Sequence, residues 1–243
     1  MPSYTFPATT TQPPQATDDG SPMRSIADGA AFEWYLPLSA GRAEVERHIA
    51  EAFQRAYGAM VTTFCPTLLA LRRAGQLCAA VGLRPALEPL FLESYLSAPV
   101  QQVLGSRVDA PVRRSQLAEI GNLVSNGGAS PLLLLLLTAA AERAGFEWLV
   151  FTATPLVEKN IARLGFDLLE LGPADPIALG AKAAHWGTYY QSQPRVMAGH
   201  LPSALARVER SPRLSDMLAR YRAPVAELSA ALNRTSGTAN AAA

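Results

Sequence analysis

Ser115–Ser130 reads SQLAEIGNLVSNGGAS, and PLLLLLLTAAAERA follows directly at Pro131–Ala144. Alternation at period two predicts a strand over Ser115–Ser125, with Leu117, Glu119, Gly121 and Leu123 on one face. Asn126-Gly127-Gly128 is a tight loop. Ser130 is the expected N-cap of a helix with Pro131 in its first turn and Gly145 just past its end. Glu147–Ala153 (EWLVFTA) then reads as a buried strand. A strand, a helix and a second strand in this order call for a parallel pair joined by a right-handed crossover. The helix is apolar almost all round, so it must be covered on more than one side.

Working outward, Phe32–Leu38 is an expected strand. Ser39 is placed to cap a following helix whose apolar stripe is Val45, Ile49, Phe53 and Ala56. Thr67–Leu71 and Gln76–Leu83 flank Arg73-Ala74-Gly75 and read as a hairpin. Leu87–Leu96 is expected to be a short helix, Val157–Leu164 a second one stopped by Gly165, and Phe166–Leu171 a strand. Residues 1–30, rich in Pro, Thr, Ser, Asp and Gly, are expected to form a disordered tail. Residues 31–222 form the single expected domain, and 223–243 a partly disordered C-terminal tail. The composite is an α/β fold with a mixed central sheet flanked by helices.

Composition narrows the function. With 21 Lys and Arg against 20 Asp and Glu the net charge is +1, so no field favours nucleic acid or an anionic membrane. The longest apolar run, Leu132–Ala141, is shorter than the ~20 residues a bilayer needs. The N-terminus lacks the basic start and apolar run of a signal peptide, and the expected location is the cytoplasm. Cys65 and Cys78 form no metal-ligand pair, and His48, His185 and His200 are scattered, so no metal site is expected.

The loop after the strand is the place for chemistry. Glycines there let backbone approach a ligand closely, and the free N–H groups of a helix start suit a phosphate. Val124, Gly127, Gly128, Ala129 and Ser130 are the candidate cradle, with a plain strand-to-helix turn as the alternative. Glu119 is a carboxylate on a mostly apolar face. Desolvation raises the pKa of such a group and suits it to accept a proton from an amine. Pairing with Arg84, Arg113 or Arg114, or exposure on an edge, is the competing reading. Thr152 and Thr154 end the strand beside it.

Two sets of motifs carry a resemblance. Glu158–Phe166 (EKNIARLGF) and Val124–Ala129 (VSNGGA) are similar to the short helix and pyrophosphate loop of N-acyltransferases of the GNAT type. In that family an Arg or Gln is usual where Val124 stands and a tyrosine acid where Ile161 stands. Both departures point away from acetyl transfer and toward the acyl-homoserine-lactone and N-acyl amino acid synthases, which use longer chains on a carrier. Across about 110 residues, Ala80–Ala86 (AVGLRPA), Leu90–Leu96 (LFLESYL), Ala118–Leu123 (AEIGNL), Phe151–Thr154 (FTAT), Arg163–Phe166 (RLGF) and His185–Tyr190 (HWGTYY) resemble the bacterial thermostable hemolysin family.

The resemblance implies a GNAT-like sheet with splayed strands. The implied donor is a medium- or long-chain acyl thioester on coenzyme A or an acyl carrier protein, used as co-substrate with no tightly bound cofactor. The implied acceptor is a small amine, and Glu119 the general base. Val124, the loop through Ser130, Thr152 and Thr154 would hold the donor. Glu93, Asn122, Trp186, Tyr189 and Tyr190 would border the acceptor. Two further readings stay open: a membrane-active hemolytic protein, and a module that binds an acyl carrier without chemistry.

Overall fold

The computed structural model describes residues 21–27, 29–126, 128–164 and 166–240, with side chains as far as Arg234. Residues 1–20 of the tail expected over 1–30, Asp28, Gly127 and Gly165 lie outside the described residues. The chain forms one sheet of eight strands in the order β1-β2-β3-β4-β5-β6-β8-β7. The strands are β1 (Met23–Ala27), β2 (Ala30–Tyr35), β3 (Thr67–Arg73), β4 (Gln76–Pro85), β5 (Leu117–Ser125), β6 (Trp148–Ala153), β7 (Leu168–Pro173) and β8 (Arg195–His200). All neighbours are antiparallel except β5 and β6. The hairpin, the central parallel pair and the helix between them stand where the sequence reading puts them.

Helices α1 (Arg42–Tyr57), α2 (Val100–Val108), α3 (Ser130–Arg143), α4 (Pro155–Ala162), α5 (Leu201–Arg210), α6 (Pro212–Arg220) and α7 (Arg222–Asn240) flank the sheet. The continuous burial of α3 from Leu132 to Ala141 has a simple cause: it lies against the sheet and is roofed by α5 and α7. Val225, Leu228 and Leu232 of α7 are buried in that core, and Tyr221 packs edge-on against Phe32 with ring centroids 5.4 Å apart.

Both expected domain limits are therefore too narrow. Met23–Ala27 is a strand, not a tail, because all five residues register against Trp34–Ala30 of β2. Residues 223–234 are not a tail either, because their apolar stripe completes the cover over α3. Two expected caps also fall elsewhere. Ser39 Oγ accepts the Leu36 N–H inside the preceding turn, and Gly41 in a left-handed conformation opens α1. Ser130 is the first residue of α3, and its own N–H donates to Ser125 Oγ at 2.9 Å. The segment expected as a helix at Leu87–Leu96 is a single 3₁₀ turn, Phe91–Tyr95.

Candidate functional site: a cavity where the parallel strands part

Strands β5 and β6 pair at only three positions, Leu117 with Trp148, Ala118 with Leu149 and Glu119 with Val150. Beyond Glu119 they separate. β5 runs on to Ser125 paired with β4, and β6 runs on to Ala153 paired with β8. A bulge drives the parting. Asn122 and Leu123 together face the single Val81 of β4, and Asn122 takes φ +53°. An extra residue of this kind bends and twists its strand. Asn122 is held there from outside: its Oδ1 accepts the Cys65 N–H at 2.9 Å and its Nδ2 donates to the Thr63 carbonyl at 3.3 Å. Asn122 lines the gap, but these bonds commit its side chain to shaping the strand. Gly82 opposite has no room for a Cβ, which would stand 2.6 Å from Cys65 Cβ.

The gap is a cavity of about 490 Å³. One wall is β5 from Glu119 to Ser125, with Asn126 just past its end. The facing wall is Phe151, Thr152 and Thr154, continued by Val157 and Ile161 of α4. The third wall is aromatic: Phe53 and Tyr57 from α1, Phe91 and Tyr95 from the 3₁₀ turn, and Trp186 and Tyr189 from the segment before β8. A second, apolar void of about 30 Å³ lies behind Ile120, Phe151 and Ile161, toward α3 and α5.

Glu119 is 6% exposed and has no ion pair among the described residues. Its Oε2 accepts the Phe91 N–H at 3.1 Å and its Oε1 the Leu92 N–H at 3.0 Å. Burial pushes its pKa above the ordinary carboxylate value, while the two N–H donors and the charge of Arg84 oppose that rise. Arg84 faces Glu119 across the β4–β5 ladder, and its buried Nε has no hydrogen-bond partner. Of the other partners considered, Arg113 bonds Gln116 and Arg114 bonds Glu93. Each carboxylate oxygen of Glu119 thus keeps a lone pair beyond its one N–H bond.

Of the expected donor residues, Val124, Thr152 and Thr154 line the cavity. Thr152 Oγ1 is buried with no hydrogen-bond partner, so a polar group entering the gap would gain a bond otherwise unmade. Thr154 is partly committed: it caps α4, its Oγ1 accepting from the Val157 N–H. Gly128, Ala129 and Ser130 do not line the cavity; they follow Ser125 and Asn126, which do.

Of the expected acceptor residues, Trp186 and Tyr189 are in the wall. Tyr190 stands behind it, its hydroxyl 2.6 Å from that of Tyr95. Burial pushes up the pKa of both phenols, foremost for Tyr95. Glu93 is a correction. It does not reach the cavity; it accepts the Leu90 and Val100 N–H groups and pairs with Arg114 at 2.6 Å. The Arg114 bonds hold its pKa down to about 2. Its ionised form is therefore favoured by the fold. That stability is present above the unfolded carboxylate pKa and is lost as pH falls through about 2. Glu93→Gln is expected to lower stability at pH 7 by about 2 kcal/mol, with the difference from wild type shrinking in denaturant melts run below about pH 4.

Phe53, Tyr57, Phe91 and Tyr95 are the part of the aromatic wall that residue patterns miss. Phe53 belongs to the apolar stripe of α1 and looks like core, and Tyr57 lies four residues on at the end of the same helix. They become a cavity wall because the 176–193 segment is bolted to the end of α1: the Thr188 N–H donates to the Tyr57 carbonyl at 2.8 Å and the Met60 N–H to the His185 carbonyl at 2.7 Å. Ile161, where a tyrosine acid is usual in acetyltransferases, lines the cavity as an apolar residue. Cys65 is buried beside Gly121, and burial pushes its thiol pKa up to about 12, so it is no nucleophile at neutral pH.

A mixed sheet whose parallel neighbours part around a cavity, at the foot of a loop that opens a helix, defines an α/β fold of the GNAT type. The chain belongs to the thermostable hemolysin family, whose model matches residues 36–205. Among solved structures it resembles FeeM, an N-acyl amino acid synthase from uncultured soil microbes, at 16% identity and TM-score 0.50, covering 80% of this chain and 98% of that one. It resembles the apo form of TofI at 16% identity and TM-score 0.50, covering 75% of this chain and 98% of that one. No curated protein sequence matches the chain. Among the described residues no helix is long and apolar enough to cross a membrane, and no group of His, Cys, Asp and Glu is placed to hold a metal.

Proposed function

We propose that the protein is an N-acyltransferase. It moves an acyl group from a phosphopantetheine thioester, on coenzyme A or an acyl carrier protein, to an amine. The observation that carries this reading is the 490 Å³ cavity between two strands that part immediately after Glu119. A pantetheine arm is long, extended and amide-bearing. The gap opens between two parted strands, and Thr152 Oγ1 is an unused partner for one of its amides. Its phosphates would lie toward Asn126–Ser130 and the start of α3, where N–H groups and the helix dipole favour anions. The likeness to an N-acyl amino acid synthase supports the reaction class.

The acyl chain would run toward Ile120, Phe151 and Ile161 and the apolar void behind them. That void has room for about one methylene, so a medium or long chain would lie mainly in the 490 Å³ cavity, against Ile120, Phe151 and Ile161. The amine nitrogen attacks the thioester carbonyl carbon; the C–N bond forms and the C–S bond breaks. One proton of the nitrogen passes to Glu119, directly or through a water, and is returned to the departing sulfur as the thiol. A carboxylate with a raised pKa suits this exchange near neutral pH. In this reading residues 23–234 act as one domain in the cytoplasm, alongside the thioester donor.

The test is amine-dependent release of thiol from acyl thioesters by the purified protein. Within it, Thr152→Val keeps the shape of the wall and removes the hydroxyl. It is expected to raise the donor KM about five-fold with kcat little changed, the signature of one lost binding hydrogen bond. An unchanged KM would take the pantetheine amide away from Thr152.

A further inference from the structure

The charge on the cavity wall is uneven. Among the described residues that line it, Glu119 is the one carboxylate and Arg55 the one cation. Glu119 is buried in the wall between the strands. The Arg55 side chain is 61% exposed and lies 3.7 Å from Glu51, so its charge stays in water with a partner of its own. The aromatic residues are not a flat stack. Trp186 stands edge-on to Phe53, at 78° and 6.3 Å, and is tilted to Phe91 and Tyr189 at 37° and 44° with centroids 5.6 and 5.3 Å away. Rings set at these angles make a corner whose π faces and edges look into one space.

A buried carboxylate beside electron-rich ring faces attracts a cation, because both carry negative potential toward the same volume. The same arrangement repels an anion. A carboxylate entering it would lose its water and face Glu119; Arg84, the nearby cation, faces Glu119 from β4 and stands off the lining, so no cation on the buried lining would offset either cost. Resting on the acyl-transfer reading above, we infer that the acceptor is a primary amine that arrives as an ammonium and carries no carboxylate, rather than an amino acid. Trp186, with Phe91 and Tyr189, forms the corner that receives it, and Glu119 is its counter-charge; the ammonium gives up one proton to water before its nitrogen attacks, and Glu119 takes the second and returns it to the departing sulfur.

Two compounds that differ only in the carboxylate, 2-phenylethylamine and phenylalanine, test the inference. Both are titrated calorimetrically into the full-length protein without any acyl donor, and both are then offered with a long-chain acyl-CoA while thiol release is followed. The expected result is a Kd at least ten-fold lower for 2-phenylethylamine, with the same preference in kcat/KM. Trp186→Leu should weaken amine binding about ten-fold and Trp186→Phe by no more than a few-fold. Phenylalanine binding as tightly as the amine, or neither compound binding, overturns the inference. Acylation of phenylalanine in preference to the amine overturns it while leaving acyl transfer intact. Selective amine binding with no thiol released by any donor supports the cation site and sinks the acyl-transfer reading instead.

Discussion

Glu119→Gln is expected to slow amine-dependent thiol release by about 10²–10⁴-fold, the usual contribution of a positioned general base. The donor KM should stay within a few-fold of wild type, because the pantetheine gap is untouched. The variant has a structural cost of its own. The Phe91 and Leu92 N–H groups each donate to a separate oxygen of Glu119, and a glutamine offers only one oxygen. One N–H is left facing an NH₂ group, at a cost of about 1–3 kcal/mol. Melting wild type and variant at the assay temperature separates the two effects, since a folded but inactive Glu119→Gln is the outcome the base assignment requires. The pH profile gives a second check. Burial raises the Glu119 pKa, so kcat/KM should fall as pH drops through a value above the ordinary carboxylate range. The stability term has the opposite direction. A carboxylate whose pKa is raised by folding contributes stability that is full below its unfolded pKa and is lost as pH rises through the folded one. Full activity in Glu119→Gln would return Glu119 to the role of a bracket that ties the 3₁₀ turn to β5.

Gly187→Ala is expected to lower stability by about 3 kcal/mol, a melting shift of about 6–12 °C for a chain of this size. Gly187 has φ +53° and ψ −123°, a conformation open essentially to glycine alone. A Cβ there would stand 2.1 Å from the Tyr57 carbonyl oxygen, the same oxygen that accepts the Thr188 N–H. The substitution therefore pries the 176–193 segment from the end of α1 and takes Trp186 and Tyr189 out of the cavity wall. The sheet core should survive. The acceptor KM should rise more than the donor KM in whatever fraction stays folded. A melting temperature within about 2 °C of wild type, with acceptor KM unchanged, would show that the segment is not clamped in this way.

How much of this is readable from residues alone follows from the range of each interaction. The hairpin over β3 and β4 and the β5–α3–β6 unit rest on local signals: period-two alternation, turn glycines, a proline at a helix start. The site's backbone is legible for the same reason, since Glu119, Val124, Thr152 and Thr154 sit on those elements. Strand β1 is five residues next to a stretch rich in Pro, Thr, Ser, Asp and Gly, and exists because β2 pairs with it. Strand β8 enters between β6 and β7 after a long excursion, a choice no local pattern encodes. Glu93 shares residue type and neighbourhood with a plausible site residue. Only the position of Arg114, 21 residues on, decides that it is a structural anchor. The aromatic wall brings Phe53 and Phe91, from two other segments, to the expected Trp186, and each of those two reads singly as ordinary core.

The central claim is that the gap between β5 and β6 is a site for acyl thioesters. Its most direct test is thiol release by the purified full-length protein from long-chain acyl-CoA and from acyl carrier protein thioesters, with and without pooled amines. Release is expected to depend on the amine and to fall when Ile120→Trp fills the gap. No release from any donor with any amine, or release that Ile120→Trp leaves unchanged, would contradict it.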